Sequence, residues 1–246
     1  MKWPRASRRV LLWAGAVMIV MATWMTAPLL LRRIAFFRVQ QVELVGIRYL
    51  DADQVLAALR LSPHASVFDD TDVLAERLRR LEGVADATVS RRPPGSLKVI
   101  VREIEPVALA MNGRGALAPV DADGRALPYD LTGLDLPVVP AGDSAVVGVL
   151  ARVQAFDPAL FQTIDAARRT ASPGGGSAVL LELRGGGGVA HRVLLGNDAG
   201  PEVIEAVVLV ARDLAAKRRS YAELDARFDG QIVVRRRSRT AGVGSV

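Results

Sequence analysis

Residues 84–102, VADATVSRRPPGSLKVIVR, contain the pattern that decides the fold of this chain. Apolar residues recur at every second position in two runs, 85–89 and 97–101, and the sequence RPPG at 92–95 separates the runs. A period of two places apolar side chains on one face of a strand, while proline and glycine mark turns. The stretch therefore predicts a β-hairpin with one buried face.

A strand and two helices are predicted before this hairpin. The β-rich run at 39–45 predicts the strand. The first helix begins after Asp51, which has Gln54 at the capping-box spacing, and Pro63 ends it. The second helix begins at Thr71 and shows leucines at spacings of four and three. The predicted order is β-α-α-β-β.

A second unit is predicted over residues 106–237. The sequence DADG at 121–124 lies between two apolar runs and predicts a tight hairpin turn, because glycine adopts positive φ readily. A calcium loop would need further oxygen ligands at later spacings and a terminal glutamate, which are absent here. The other predicted elements are a helix over 145–156, a strand pair over 180–183 and 189–195, a helix from Pro201, and strands over 221–228 and 231–235.

The run from Val10 to Leu31 is apolar and uncharged, and a helix needs about 20 residues to cross a bilayer. It predicts one transmembrane helix. More basic residues precede the run than directly follow it, so the positive-inside rule predicts a cytoplasmic tail at 1–9 and the remainder outside. A cleaved signal peptide ending near Ala27 is the alternative, although such peptides usually have a shorter apolar core.

The net charge is +6, and the first 33 residues contain six basic and no acidic residues. The remaining sequence is therefore balanced, with 26 basic and 26 acidic residues. A nucleic-acid-binding domain would need a basic face on its folded part, so we predict no nucleic-acid partner. The chain has no cysteine, which excludes disulfides and thiolate chemistry.

The sequence contains no recognisable catalytic set. His64 and His191, the only histidines, stand beside no second metal ligand at a ligand spacing. No Gly-x-Ser-x-Gly motif occurs, and a nucleophile would lack a histidine base. The aspartates at 69, 70 and 72 lie at a predicted helix start, where carboxylates cap helices. We therefore predict a protein that is not an enzyme, with no metal, no cofactor and no catalytic residue.

The order of these elements resembles that of the FtsQ/DivIB family of bacterial cell-division proteins. The segment FFRVQQVELVGIRYL at 36–50, the two helices and the region at 83–109 resemble the POTRA domain of that family. Three later segments are similar to its second domain: LAPVDADGRALPYD at 117–130, LDLPVVPAG at 134–142 and RFDGQIVVR at 227–235. The resemblance covers nearly the whole chain.

The resemblance implies an α+β fold in consecutive parts. A single N-terminal transmembrane helix over 10–31 is followed by a β-α-α-β-β POTRA domain over 36–105. A C-terminal mixed β-sheet domain with helices extends over 106–237, and residues 238–246 form a disordered tail.

The resemblance also implies a scaffold in the inner membrane, enriched at the division septum, that helps link early division factors to septal peptidoglycan synthesis. FtsB and FtsL would bind by strand addition, in which an extended segment completes the hydrogen-bonding ladder of a sheet edge. The implied contact residues are Arg227, Phe228, Asp229, Gly230, Gln231, Ile232, Val233, Val234 and Arg235. Other divisome proteins would bind the POTRA domain, with strands 39–45 and 97–101 as candidates.

Two other functions stay open from the sequence. A POTRA-containing component of an envelope transport or assembly system would normally carry several POTRA copies or a following β-barrel, whereas one copy is predicted here. A membrane-anchored envelope enzyme would require a convergent acid, base or nucleophile set.

Overall fold

The computed structural model describes residues 13–21, 35–112, 115–171, 176–184, 191–228 and 230–236. Contacts divide the chain into two units, with the boundary between Ile104 and Glu105. The first unit is built on a sheet of three strands and the second on a sheet of eight. Both units combine strands with helices, so the α+β part of the predicted fold class is correct.

The fold class predicted from the sequence also included a transmembrane helix over 10–31, and this part is wrong. Residues 13–21 are helical, and the rest of the predicted span lies outside the described residues. Those nine residues rise about 14 Å, roughly half of a hydrocarbon core. Across the described ranges, no helix combines the length and the apolar character that crossing a membrane requires. The tails predicted at 1–9 and 238–246 also lie outside the described residues.

Residues 35–103 of the first unit form a three-stranded sheet with two α-helices and a short 3-10 helix. Its elements are a 3-10 helix at Ala35–Phe37, strand β1 (Gln41–Val45), helices α1 (Ala52–Leu59) and α2 (Thr71–Arg79), and strands β2 (Val84–Arg92) and β3 (Ser96–Glu103). The strand order is β1-β3-β2, with β1 parallel and β2 antiparallel to β3. Because β3 is paired on both sides, the candidate contact strand at 97–101 cannot accept an added strand.

The core of the first unit uses the apolar faces that the sequence predicts. Val99 of β3, Leu59 of α1 and Leu78 of α2 are fully buried. Asp51 and Asp70 cap the two helices by accepting hydrogen bonds from backbone N–H groups of the first turns. Side-chain caps of this kind contribute about 1 kcal/mol each to helix stability.

Helix α1 ends before the residue that the sequence indicates. It stops at Leu59, four residues before Pro63, and Arg60 adopts the left-handed conformation with φ of 48°. Arg77 of α2 donates a hydrogen bond from Nη1 to the carbonyl of Leu59 at 2.8 Å. A residue distant in sequence therefore satisfies the end of the helix, so the chain can leave it early.

The second unit contains one mixed sheet and three helices within the described residues. Its elements are β4 (Ala108–Met111), β5 (Leu117–Val120), β6 (Val138–Val139), α3 (Ser144–Phe156), α4 (Pro158–Phe161), β7 (Ile164–Ala171), β8 (Ser177–Leu183), β9 (His191–Gly196), α5 (Pro201–Ala216), β10 (Glu223–Phe228) and β11 (Gln231–Arg235). The strand order is β11-β10-β9-β8-β7-β6-β4-β5. The pairs β4–β6, β6–β7 and β9–β10 are parallel, and the others are antiparallel.

The main core of the second unit joins this sheet to α3 and α5. Leu150 of α3 and Ile204 and Val207 of α5 are buried in one cluster with strand residues such as Leu181 and Leu224. Helix α5 therefore packs an apolar face against the sheet, close to β10 and β11.

Candidate functional site

The residues predicted to bind a partner lie at one end of the eight-stranded sheet. Arg227 and Phe228 are the last residues of β10, and Gly230 lies in the turn that follows. Residues 231–235 form β11, and Asp229 lies outside the described residues. The structure thus brings the described members of the predicted set together in one hairpin.

Strand β11 is an edge strand of the sheet. It is antiparallel to β10 on one side, and no other strand of the described chain pairs with it. Ile232 and Val234 are half-buried and pack against the core, whereas Gln231, Val233 and Arg235 are exposed. The side chains alternate between two faces, as in any strand, and one side of the backbone ladder stays available.

The opposite edge of the sheet is less suited to strand addition. Strand β5 has four residues, and one of them is Pro119, which has no backbone N–H to donate. Strand β11 has five residues and no proline. Of the two edges, β11 therefore offers the more complete set of ladder donors.

A buried carboxylate organises the hairpin from within. The Asp225 side chain accepts hydrogen bonds from Arg227, with Nε to Oδ1 at 2.7 Å and Nη2 to Oδ2 at 2.6 Å. These hydrogen bonds lower the pKa of Asp225, although burial acts in the opposite direction, and they raise the pKa of Arg227. Only 10% of the Arg227 side chain is exposed. Arg227 is therefore paired with Asp225 within β10 and presents little of its own surface to a partner.

The same pair accompanies an irregularity in the ladder. The register between β10 and β11 shifts between Asp225 and Phe228, as in a β-bulge. The Phe228 ring lies just after the shift and is 53% exposed. The guanidinium carbon of Arg227 lies 5.8 Å from the centre of that ring. An aromatic side chain is thus displayed beside the edge strand.

Arg235 ties the end of β11 to β10. Its Nη1 atom is 3.2 Å from Oε1 of Glu223, its register partner, and its Nη2 atom is 3.6 Å from Oδ2 of Asp225. The Glu223 oxygen is buried and accepts no well-aligned hydrogen bond from the described residues, so the contact is an ion pair by proximity. More than half of the Arg235 side chain stays exposed. Arg235 therefore balances buried carboxylates and still faces solvent.

A groove opens between α5 and the β10–β11 hairpin, with a volume of about 370 Å³. It is lined by Glu202, Val203, Ala206, Val210, Ala226, Phe228, Gly230, Gln231 and Ile232. Its walls are mainly apolar, and it lies directly beside the edge strand. An extended segment paired with β11 could place a side chain in it.

Sequence reasoning missed Glu223, Asp225 and the α5 wall of the groove. A signal for the charged residues was present, because Glu223, Asp225 and Arg227 alternate in ELDARF and so share one strand face. The α5 wall had no such signal, since only the packing of the helix brings it to the hairpin.

The structure places three other polar residues from the sequence analysis, Asp121, His191 and His64, in a turn, in a contact with a backbone carbonyl and at the surface. Asp121 accepts hydrogen bonds from the N–H groups of Asp123 and Arg125 at 3.0 and 2.8 Å, as expected for a turn. His191 lies 2.9 Å from the carbonyl of Tyr221 through Nδ1, and His64 is exposed. In the part of the chain that the structure describes, no three histidine, aspartate or glutamate residues cluster as a metal site would require.

Comparison with known proteins relates this chain to bacterial cell division proteins. The family model "POTRA domain, FtsQ-type" matches residues 37–103. A cell division protein FtsQ from Rhodothermus marinus is 28% identical over 215 residues, covering 80% of this chain and 77% of the relative. A cell division protein FtsQ from Anaeromyxobacter sp. is 36% identical over 107 residues, covering 42% of this chain and 35% of the relative.

A solved structure was also found, the major extracytoplasmic domain of the bacterial cell division protein DivIB from Geobacillus stearothermophilus. It has 15% identity and a TM-score of 0.33, covering 48% of this chain and 98% of that domain. The family model and the long match to the Rhodothermus relative carry this comparison. Residues 37–103 thus match the FtsQ-type POTRA domain, and the chain is similar over most of its length to a cell division protein FtsQ.

Proposed function

We propose that the protein is a non-catalytic scaffold of the division machinery that binds the FtsB–FtsL pair at β11. In this role it acts at the division site and helps link early division factors to septal peptidoglycan synthesis. Residues 36–105 serve as the POTRA domain, which contacts other divisome proteins, and residues 106–237 serve as the partner-binding domain. The observation that carries the proposal is the exposed edge of β11 beside an apolar groove.

Strand addition suits this edge for a physical reason. An extended partner segment gains main-chain hydrogen bonds along β11, and these bonds supply affinity without regard to its side chains. The exposed Phe228 and the adjoining groove accept alternate side chains of the segment, which supplies selectivity. The described contact residues from Phe228 to Arg235 therefore act together, and Arg227 compensates the buried Asp225 carboxylate beside them.

Two proline variants of the full chain test this mechanism, Ile232→Pro and Val233→Pro. Successive residues of a strand direct their N–H groups to opposite sides. One of the two prolines therefore removes a hydrogen-bond donor to β10, and we call it the inner variant. The other proline removes a donor at the free edge of β11, and we call it the free-edge variant. We expect the free-edge variant to keep its thermal unfolding midpoint close to that of the parent and to lose binding to the purified FtsB–FtsL pair by at least about tenfold, which corresponds to about 1.4 kcal/mol.

The inner variant serves as the comparison, because its proline should lower both the thermal unfolding midpoint and the affinity for the FtsB–FtsL pair. Arg212→Gln, at an exposed position of α5 that does not line the groove, is a control that should change neither. Full affinity in both proline variants, with the fold intact by circular dichroism, would exclude strand addition at β11.

A further inference from the structure

We propose that the groove between α1 and α2 binds an acidic segment of a protein partner. The groove has a volume of about 520 Å³ and belongs to the first unit. It is lined by Gln54, Ala57, Ala58, Arg60, Arg77, Arg80 and Leu81. The inference does not rest on the β11 proposal, which concerns the second unit.

All charged side chains that line this groove are positive. Arg60, Arg77 and Arg80 are its ionisable members, and it contains no carboxylate. Within the described ranges, the guanidinium groups of Arg60 and Arg80 make no ion pair or hydrogen bond. Arg79, the neighbour of Arg80, is instead paired with two carboxylates. The groove therefore holds two cations that the fold does not neutralise.

Arg77 removes the main obstacle to an anion at this place. The carbonyl groups at the end of α1 carry partial negative charge, which would repel a carboxylate. Arg77 donates from Nη1 to the carbonyls of Leu59 at 2.8 Å and Arg60 at 3.4 Å. The helix end is thereby compensated, and the charges of Arg60 and Arg80 remain for a ligand.

The floor of the groove favours a peptide over a small anion. Ala57, Ala58 and Leu81 line it with apolar side chains that a phosphate or a lone carboxylate would leave unused. A segment in which acidic and apolar residues alternate satisfies both parts of the surface. Its carboxylates pair with the planar guanidinium groups, and its apolar side chains cover the alanines.

A synthetic peptide of alternating glutamate and leucine, labelled with fluorescein, is the probe for the full chain. We expect saturable binding by fluorescence anisotropy that weakens as salt is raised. Arg60→Gln combined with Arg80→Gln should reduce affinity by about fivefold to tenfold, because each exposed ion pair contributes modestly. Ala57→Glu, which adds a repelling carboxylate to the floor, should give a similar loss.

The matched control is Lys98→Gln combined with Arg102→Gln, which removes two charges from β3 at positions that do not line the groove. An equal loss with this control would overturn the inference, since it would show attraction to charge in general. Unchanged affinity in the groove variants, or equal binding of a glutamine version of the peptide, would also overturn it. Vesicles of phosphatidylglycerol that bind through Arg60 and Arg80, while the peptide does not bind, would assign the groove to lipid instead.

Discussion

At the scale of single residues, Asp225 is the centre of the candidate site. Its carboxylate is completely buried, and leaving such a charge unpaired would be costly. The bidentate contact with Arg227 and the nearby Arg235 compensate it. The family resemblance implies Arg227 and Arg235 as partner contacts. In the structure Arg227 pairs with Asp225 within β10, and Arg235 connects β11 to β10.

We expect the stability that Asp225 contributes to depend on pH. Because Arg227 lowers the pKa of Asp225 in the folded state, the unfolded chain takes up the proton at higher pH. The contribution is complete above the unfolded pKa of about 4 and is lost as the pH falls through the lower folded-state pKa. Thermal unfolding of the parent and of Asp225→Asn checks this between about pH 2 and pH 6. The gap between their midpoints should narrow at the acidic end, and a constant gap would contradict the assignment.

At the scale of elements, the predictions succeed where a pattern is local. The hairpin at 84–103, the caps of α1 and α2 and the helix from Pro201 follow from periodicity and capping residues. Strand β7 was not predicted. Its register shifts between Ile164 and Ala166, so the alternation is interrupted, and its alanines have low β-propensity. It is a strand because β8 pairs with it along its length.

Gly46, which follows β1, is the sharpest test at this scale. Its φ is 89°, and a Cβ atom there would lie 2.2 Å from the carbonyl oxygen of Val101. The backbone at Val101 can move away only by disturbing the sheet. Gly46→Ala should therefore destabilise the first unit by at least about 3 kcal/mol. Hydrogen exchange of the β1 and β3 amides measures this effect.

Gly133→Ala is the matched control for that variant. Gly133 has a similar φ of 83°, but a Cβ atom there would meet nothing within 4 Å. Only the backbone strain of about 1–2 kcal/mol should appear in hydrogen exchange around residue 133. Equal losses at the two glycines would show that contact with Val101 is unimportant.

At the scale of the whole molecule, two units with different sheets offer different surfaces. The first unit carries the arginine-lined groove, and the second carries the edge strand with its apolar groove. Under the proposed function, both surfaces would serve the assembly of the division machinery.

The proposed function predicts where the full-length protein acts. A fluorescent fusion at the amino end should form a band at mid-cell in constricting cells, because a division scaffold must meet its partners there. Fluorescence microscopy through the division cycle checks this, with the untethered fluorescent protein as control. A uniform distribution at all stages would count against the division role.

Local sequence patterns were enough to predict the β-α-α-β-β order of the first unit, the apolar faces of its strands, the helix caps and the tight turn at 121–124. These depend on residues close together in the chain, where backbone preferences and periodicity act directly. The sequence also indicated an apolar run at 10–31, but the described helix there is too short to cross a membrane.

The edge strands, the pairing of Arg227 with Asp225 and the positions of the grooves became known only from the folded structure. Strand order places β11 at an edge and β3 in the middle, although both have similar alternation. The physical reason is that neighbours in a sheet and contacts between helices join residues far apart in sequence. These contacts form only when folding brings the distant segments together, so a local sequence pattern does not predict them.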